Sequence, residues 1–161
     1  MGIRMTTKLS EVHDMLMREA ERVERLTIRA LSKLGEQCVT KIRDRAGDKS
    51  WYDQTGNLRS SVGYVIAHNK NIIQYSTFNQ VKQGSEGVKT GKDLAKELAK
   101  RYSNNYVLIV VAGMNYAEFV EAMDNKDVLA STELWARGKW EETERKLKTK
   151  IEVEIDKLEI F

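Results

Sequence analysis

Proline is absent from the 161 residues, cysteine occurs once and histidine twice. A single thiol, Cys38, excludes an internal disulfide and any cysteine-rich zinc site. His13 and His68 stand apart from each other and from Cys38, so the clustered ligands of a transition-metal site are missing and no metal is expected. Without proline the chain can run in long unbroken helices, and it lacks the usual rigid turns. No stretch approaches the roughly 20 apolar residues that span a bilayer, and the opening "MGIRMTTKLSEVHDML" holds no signal-peptide core. A cytosolic protein without membrane contact is expected.

Charge of one sign is scarce as well. The net charge is +3 and the pI about 8.9, so the total does not demand a nucleic-acid partner and charge has to be judged by position. With 41% hydrophobic and 32% charged residues, the chain has enough apolar material for one core and a heavily solvated exterior. Its length fits a single domain over residues 1–161.

Catalytic motifs fail on inspection. "GVKTGKD" lacks a phosphate-binding loop's first glycine and final hydroxyl, because Glu86 and Asp93 occupy those positions. "GSEG" places its serine directly after the glycine and is no nucleophile elbow. Carboxylates are dispersed among lysines, with no pair set for acid–base work. No catalytic residue and no cofactor are expected.

Periodicity is what the sequence does offer. Leu9, Val12, Leu16, Ala20, Val23, Leu26, Ala30, Leu34, Cys38 and Ile42 recur in steps of three and four, which predicts one amphipathic helix over residues 9–42, capped near Thr6 or Thr7. Cys38 sits on that stripe and reads as a small core residue. Gly47 and the polar "GDKS" end the helix. Residues 62–68, "VGYVIAH", and 72–78, "IIQYSTF", flank "NKN" and read as a β-hairpin.

Residues 79–105 form a charged excursion. Gly84, Gly87 and Gly91, with only Val81 and Val88 as apolar anchors, predict a mobile loop over 80–90, followed by a short helix in "KDLAKELAKRY". "YVLIVVA", residues 106–112, is apolar on both faces and reads as the central strand. Asn115 and Glu118 fit a capping box for a short helix. Leu129, Ala136, Trp140, Leu147 and Ile151 predict a second long helix over 128–155, with Gly138 inside it. Residues 151–161 fit a helix or a strand. The fold class is α+β: a small, mostly antiparallel sheet, a hairpin plus a central strand, packed by a long N-terminal and a C-terminal helix.

Arg18, Arg22, Arg25, Arg29 and Lys33 lie nearly opposite the apolar stripe and form a basic ridge, with Glu21 and Glu36 relieving part of the like-charge repulsion. Two readings fit: a solvated face, or a surface for DNA or an acidic partner. A small nucleic-acid-binding protein is the alternative function on that basis.

Two short segments carry a resemblance. In "QTGNLRSSV", residues 54–62, Thr55, Gly56, Asn57, Leu58, Arg59 and Ser61 make a Thr-Gly-Asn-Leu-Arg-x-Ser run leading into a strand. In "GMNYAEFVE", residues 113–121, Tyr116, Ala117 and Glu121 belong to Gly-x-x-Tyr-Ala-x-x-Val-Glu at the end of another strand. In this order, between two long helices, they resemble the tail-component family of tailed bacteriophages, small neck and tail-completion proteins that join head to tail. The resemblance spans residues 9–147. It departs after Glu121, where the chain continues "AMDNKDVLASTELW" in place of Gly-Thr and a proline-bearing segment, and residues 79–105 look like an insertion.

The resemblance implies a non-enzymatic head–tail joining or tail-completion subunit. Such a subunit forms a homo-oligomeric ring, contacts other neck and tail proteins, and passes from the host cytoplasm into the virion. The segment around Thr55 is expected to be a structural corner. Thr55 caps a helical turn, Gly56 bends the backbone and Leu58 enters the core, while Arg59 and Glu121 either pair and tie the two motifs together or both lie exposed.

Overall fold

The computed structural model describes residues 8–123 and 126–155. The apolar repeat of the first segment forms α1, Leu9–Arg43. Lys8 is its N-cap and makes no side-chain capping bond; Thr6 and Thr7 lie outside the described residues. A 3-10 turn at Gly47–Lys49 and the short helix α2, Asn57–Ser60, lead into strands β1, Val62–His68, and β2, Asn71–Tyr75. Then follow α3, Ser85–Ala99, β3, Val107–Ala112, α4, Ala117–Glu121, and α5, Ala130–Ile155. The fold is α+β, a three-stranded antiparallel sheet in the order β2-β1-β3 with α1 and α5 packed together. Residues 151–155 are helical, which decides part of the segment that fitted either structure; residues 156–161 lie outside the described residues.

The hairpin turn is tighter than "NKN". Asn69 and Lys70, at φ 49° and 65°, form a two-residue loop whose twist suits antiparallel strands, and Asn71 already pairs with His68. β2 also stops at Tyr75, short of the expected Phe78. Ser76 still holds Tyr64 through its amide and hydroxyl, and Phe78 then turns into the core on the α3 side.

Residues 106–112 do form a strand, yet β3 is an edge and β1 is the center. Helices cover both faces of β3, which explains its continuous apolarity. Ile109 and Val111 pack with Ala95 and Ala99 of α3, while Leu108 and Val110 pack toward Leu31 of α1 and Trp140 of α5. A two-sided apolar strand reports coverage of both faces, which need not mean hydrogen-bonded neighbours on both edges.

The predicted mobile loop is a second correction, because it contains the first turns of α3. Gly87, Gly91, Ala95 and Ala99 are buried on one face of this helix. A Cβ on Gly87 would stand 2.0 Å from the Asn57 carbonyl oxygen, and one on Gly91 2.4 Å from that of Ser61. These glycines let α3 lie backbone against backbone on α2 and the start of β1, which a loop reading of glycine misses. The expected capping box is also not formed: Tyr116 is the N-cap of α4, which has no side-chain capping bond.

At the base of the sheet, Ile42, Trp51, Leu58, Val62, Ala112, Ala117 and Val128 form a common apolar cluster. The stripe on α1 is buried only in its C-terminal half, at Leu34, Cys38 and Ile42 together with Leu31. Toward the other end Leu9 is 81% and Leu16 55% exposed, and Met17 beside them is 51% exposed.

Candidate interaction surface

The corner at residues 51–61 is held by Asp53, which the motif reading passed over. Its carboxylate accepts from the Gly56 amide at 2.9 Å and the Arg59 amide at 2.7 Å, satisfying free donors at the start of α2. Thr55 contributes a longer bond, its hydroxyl accepting from the Asn57 amide at 3.3 Å. Gly56 has φ 81°, and a Cβ there would meet the Val81 carbonyl oxygen at 2.1 Å. Asn57 Oδ1 accepts from the Gly87 amide at 3.2 Å and so serves the first turn of α3. Leu58 is buried, as expected.

Arg59 and Glu121 do not pair. The Arg59 guanidinium donates to the Arg43 carbonyl at the end of α1, to Ser50 Oγ at 3.0 Å and to the Trp51 carbonyl at 3.3 Å, lying 4.7 Å from the Trp51 ring centroid. A cation over the carbonyl end of α1 satisfies an orphan acceptor and the helix dipole together. Glu121 accepts from the amides of Val128, Leu129 and Ala130 at 2.9, 2.7 and 3.2 Å, and thereby caps α5. The two motifs meet instead through the Gly113 amide, which donates to the Ser61 carbonyl at 3.3 Å, and through Leu58 and Ala117 in the shared apolar cluster. Tyr116 is 38% exposed, and its hydroxyl pKa is raised by partial burial and by the nearby Asp53 and Glu86 charges.

Arg45 and Asp127 form a second anchor, also unforeseen, because residues 82 apart in a sequence carry no spacing signal. Cys38 is a buried apolar residue whose thiol pKa is pushed up by burial, in keeping with an inert core role. Among the described residues, no three or more His, Cys, Asp or Glu gather into a group able to hold a metal, and no helix is long and apolar enough to cross a membrane.

Two surface features remain. An apolar cleft of about 490 Å³ opens between α1, β3 and α5, lined by Leu31, Leu34 and Cys38 on one side and Leu108, Ala136 and Trp140 on the others. The α1 stripe runs out of this cleft toward the exposed Leu16 and Leu9.

The basic ridge is uneven. Arg18 Nε donates to the Asp14 carbonyl at 3.2 Å, Arg22 to Glu19 at 2.9 Å, and Arg25 lies 3.8 Å from Glu21. Glu36 turns to the Tyr64 hydroxyl at 3.0 Å. Arg29 and Lys33 border a groove shared with Lys139, Lys146 and Lys150 of α5. Those three lysines lie seven and four positions apart, so the spacing argument that found the ridge on α1 applies to α5 too. Lys139 and Lys146 both donate to Glu142, and these bonds hold its carboxyl at about 2. Compared with known proteins, the chain matches no family model, no curated protein and no solved structure.

Proposed function

We propose that this chain is a non-enzymatic structural subunit that acts by assembly, as a head–tail joining or tail-completion protein of a tailed bacteriophage. The observation that carries the assembly part is the α1 stripe, apolar from Leu9 to Ile42, which among the described residues is left exposed at Leu9, Leu16 and Ala20 and is continuous with the cleft beside β3. Large contiguous apolar surface on a charged chain marks a place where another protein sits. The next copy in a ring would cover it, since a head-to-tail contact that closes by rotation uses one such face per subunit. The phage assignment rests on the two segments around Thr55 and Tyr116. Both act as corners that fix where α3 and α5 leave the sheet, a framework role suited to a subunit that presents surfaces. Mass spectrometry of purified virions, with immunogold labelling, tests the assignment. Label at the neck or tail is expected; a chain confined to the infected-cell lysate and missing from particles would overturn it.

A further inference from the structure

We propose that the groove between α1 and α5 binds duplex DNA through its phosphate backbone, without sequence choice. Among the described residues, its rims carry Arg29 and Lys33 on α1 and Lys139, Lys146 and Lys150 on α5, against one carboxylate, Glu142. Glu142 is already shared by Lys139 and Lys146. Among the described residues, Arg29, Lys33 and Lys150 have no carboxylate within ion-pair distance. Three cations without an ion-pair partner thus line one groove, facing each other across α1 and α5. Folding does not require that convergence, which opposes the close packing of α5 on α1. An anion laid along the groove relieves the repulsion.

The geometry favours a duplex over other polyanions. Packed helices lie about 8–10 Å apart, on the scale of the B-DNA groove widths of about 6–12 Å, and long lysine and arginine side chains on both helices suit contact with phosphates on both strands. On α1 the row extends back through Arg25 and Arg18, a run of roughly 22 Å from Arg18 to Lys33 at 1.5 Å per residue. Among the described residues, no aromatic side chain lines the groove, so it lacks the stacking platform of a single-strand binder. Leu26, Ala30, Leu34 and Leu147 form an apolar floor, and such walls concentrate the field of the rims. Long lysines that reach phosphates alone give affinity without base readout.

Leu26, Ala30 and Leu34 of the α1 stripe form the floor of this groove, but its cationic rims are distinct from the exposed Leu9 and Leu16 invoked for assembly, so substitutions in one leave the other in place and either can fail alone. Fluorescence anisotropy with a labelled mixed-sequence duplex, over a series of salt concentrations, tests the proposal. Binding should weaken steeply with salt, the slope of log K against log salt being about −0.9 for each phosphate contacted. The triple variant R29Q/K33Q/K150Q breaks no ion pair and should keep its circular dichroism spectrum and melting temperature. It should bind at least about tenfold more weakly near 0.1 M salt, with a slope shallower by about 3. A control with the same loss of charge on α3 and its C-cap, K89Q/K96Q/K100Q, which gives up only the exposed Lys96–Asp93 pair, should bind like the parent. Equal weakening in both triple variants, or salt-independent binding, would overturn the assignment. Capture of polyglutamate in place of DNA, with the same sensitivity to R29Q/K33Q/K150Q, would give the groove to an acidic protein and equally overturn it.

Discussion

Arg45 Nη1 lies 2.7 Å from Asp127 Oδ2 and joins the chain just after α1 to the start of α5. Both side chains are about nine-tenths buried, and Arg45 also donates to Ser131 Oγ at 2.8 Å and Thr132 Oγ1 at 2.9 Å. Removing one partner leaves the other as a buried uncompensated charge. Arg45→Ala should therefore cost about 3–5 kcal/mol. Adding Asp127→Ala should cost less than the sum of the single changes, with a coupling of more than about 1 kcal/mol. Urea unfolding of the four proteins of the cycle measures it, and strict additivity would contradict the pairing.

The same carboxylate predicts an acid limb of stability. Burial alone would raise the Asp127 pKa, but the Ser131 hydroxyl and amide, with Arg45 and Lys49 nearby, outweigh it and hold the folded value below the ordinary 3.8. For a depressed pKa the stabilisation is complete above the unfolded value and is lost as pH falls through the folded one. Unfolding free energy should fall below about pH 4, where unfolded aspartates take up protons. Asp127→Asn should be less stable at neutral pH and show a flatter limb in that range. Parallel curves for the two proteins would remove Asp127 as the source.

Arg59 and Glu121 give the opposite expectation. Arg59 holds the end of α1 and the Trp51 loop, whereas Glu121 caps α5, and they share no partner. Glu121→Ala should cost about 1–2 kcal/mol through the lost cap. Arg59→Ala should also destabilise, and the double variant should be additive to within about 0.5 kcal/mol. A larger coupling would restore the direct pairing that the sequence suggested.

Why that pairing misled while the helices did not follows from the range of each interaction. The periods that place α1, α5, β1 and β3 are local, and burial of one face enforces them within a few residues. Arg59 and Glu121 looked complementary because a salt bridge between them would tie the two motifs together. Their real partners are backbone groups, Arg43 and Trp51 carbonyls and the Val128 and Leu129 amides, to which a sequence assigns no position. Asp53 was hidden for the same reason. Glycine in 80–91 misled in another way. Its freedom in a loop and its lack of a side chain in a tight contact leave the same letter, and only α2 lying against α3 separates the two.

Two glycine substitutions turn that distinction into measurements. Gly87→Ala places a methyl 2.0 Å from the Asn57 carbonyl oxygen, which is backbone and yields little, so it should destabilise by about 1–3 kcal/mol despite alanine's better helix propensity. Gly138 lies inside α5 with nothing within 4 Å of its absent Cβ. Gly138→Ala should stabilise by up to about 1 kcal/mol. Thermal melting compares them, and limited proteolysis should leave residues 85–99 intact in the parent and cleave there sooner in Gly87→Ala. If both substitutions stabilise, α3 is not pressed on α2.

Leu16 and Met17 separate stability from assembly. They are 55% and 51% exposed, whereas Leu34, farther along the same helix, is 5% exposed. Leu34→Ala should cost about 2–5 kcal/mol in the isolated chain, as expected for a core leucine. The pair Leu16→Gln and Met17→Gln should change the monomer's stability by no more than about 0.5 kcal/mol, since both side chains are already more than half exposed on the helix surface. If the next subunit covers them, each half-exposed side chain contributes roughly 0.75–1.5 kcal/mol of further burial on assembly, and the pair roughly 1.5–3 kcal/mol. The concentration for half-assembly should then rise by at least about tenfold, at 1.4 kcal/mol per factor of ten. Sedimentation velocity over a concentration series, with melting curves on the same samples, reads both quantities. A large drop in melting temperature would mean that the stripe packs within its own chain. Unchanged assembly with an unchanged melting temperature would move the subunit contact away from α1.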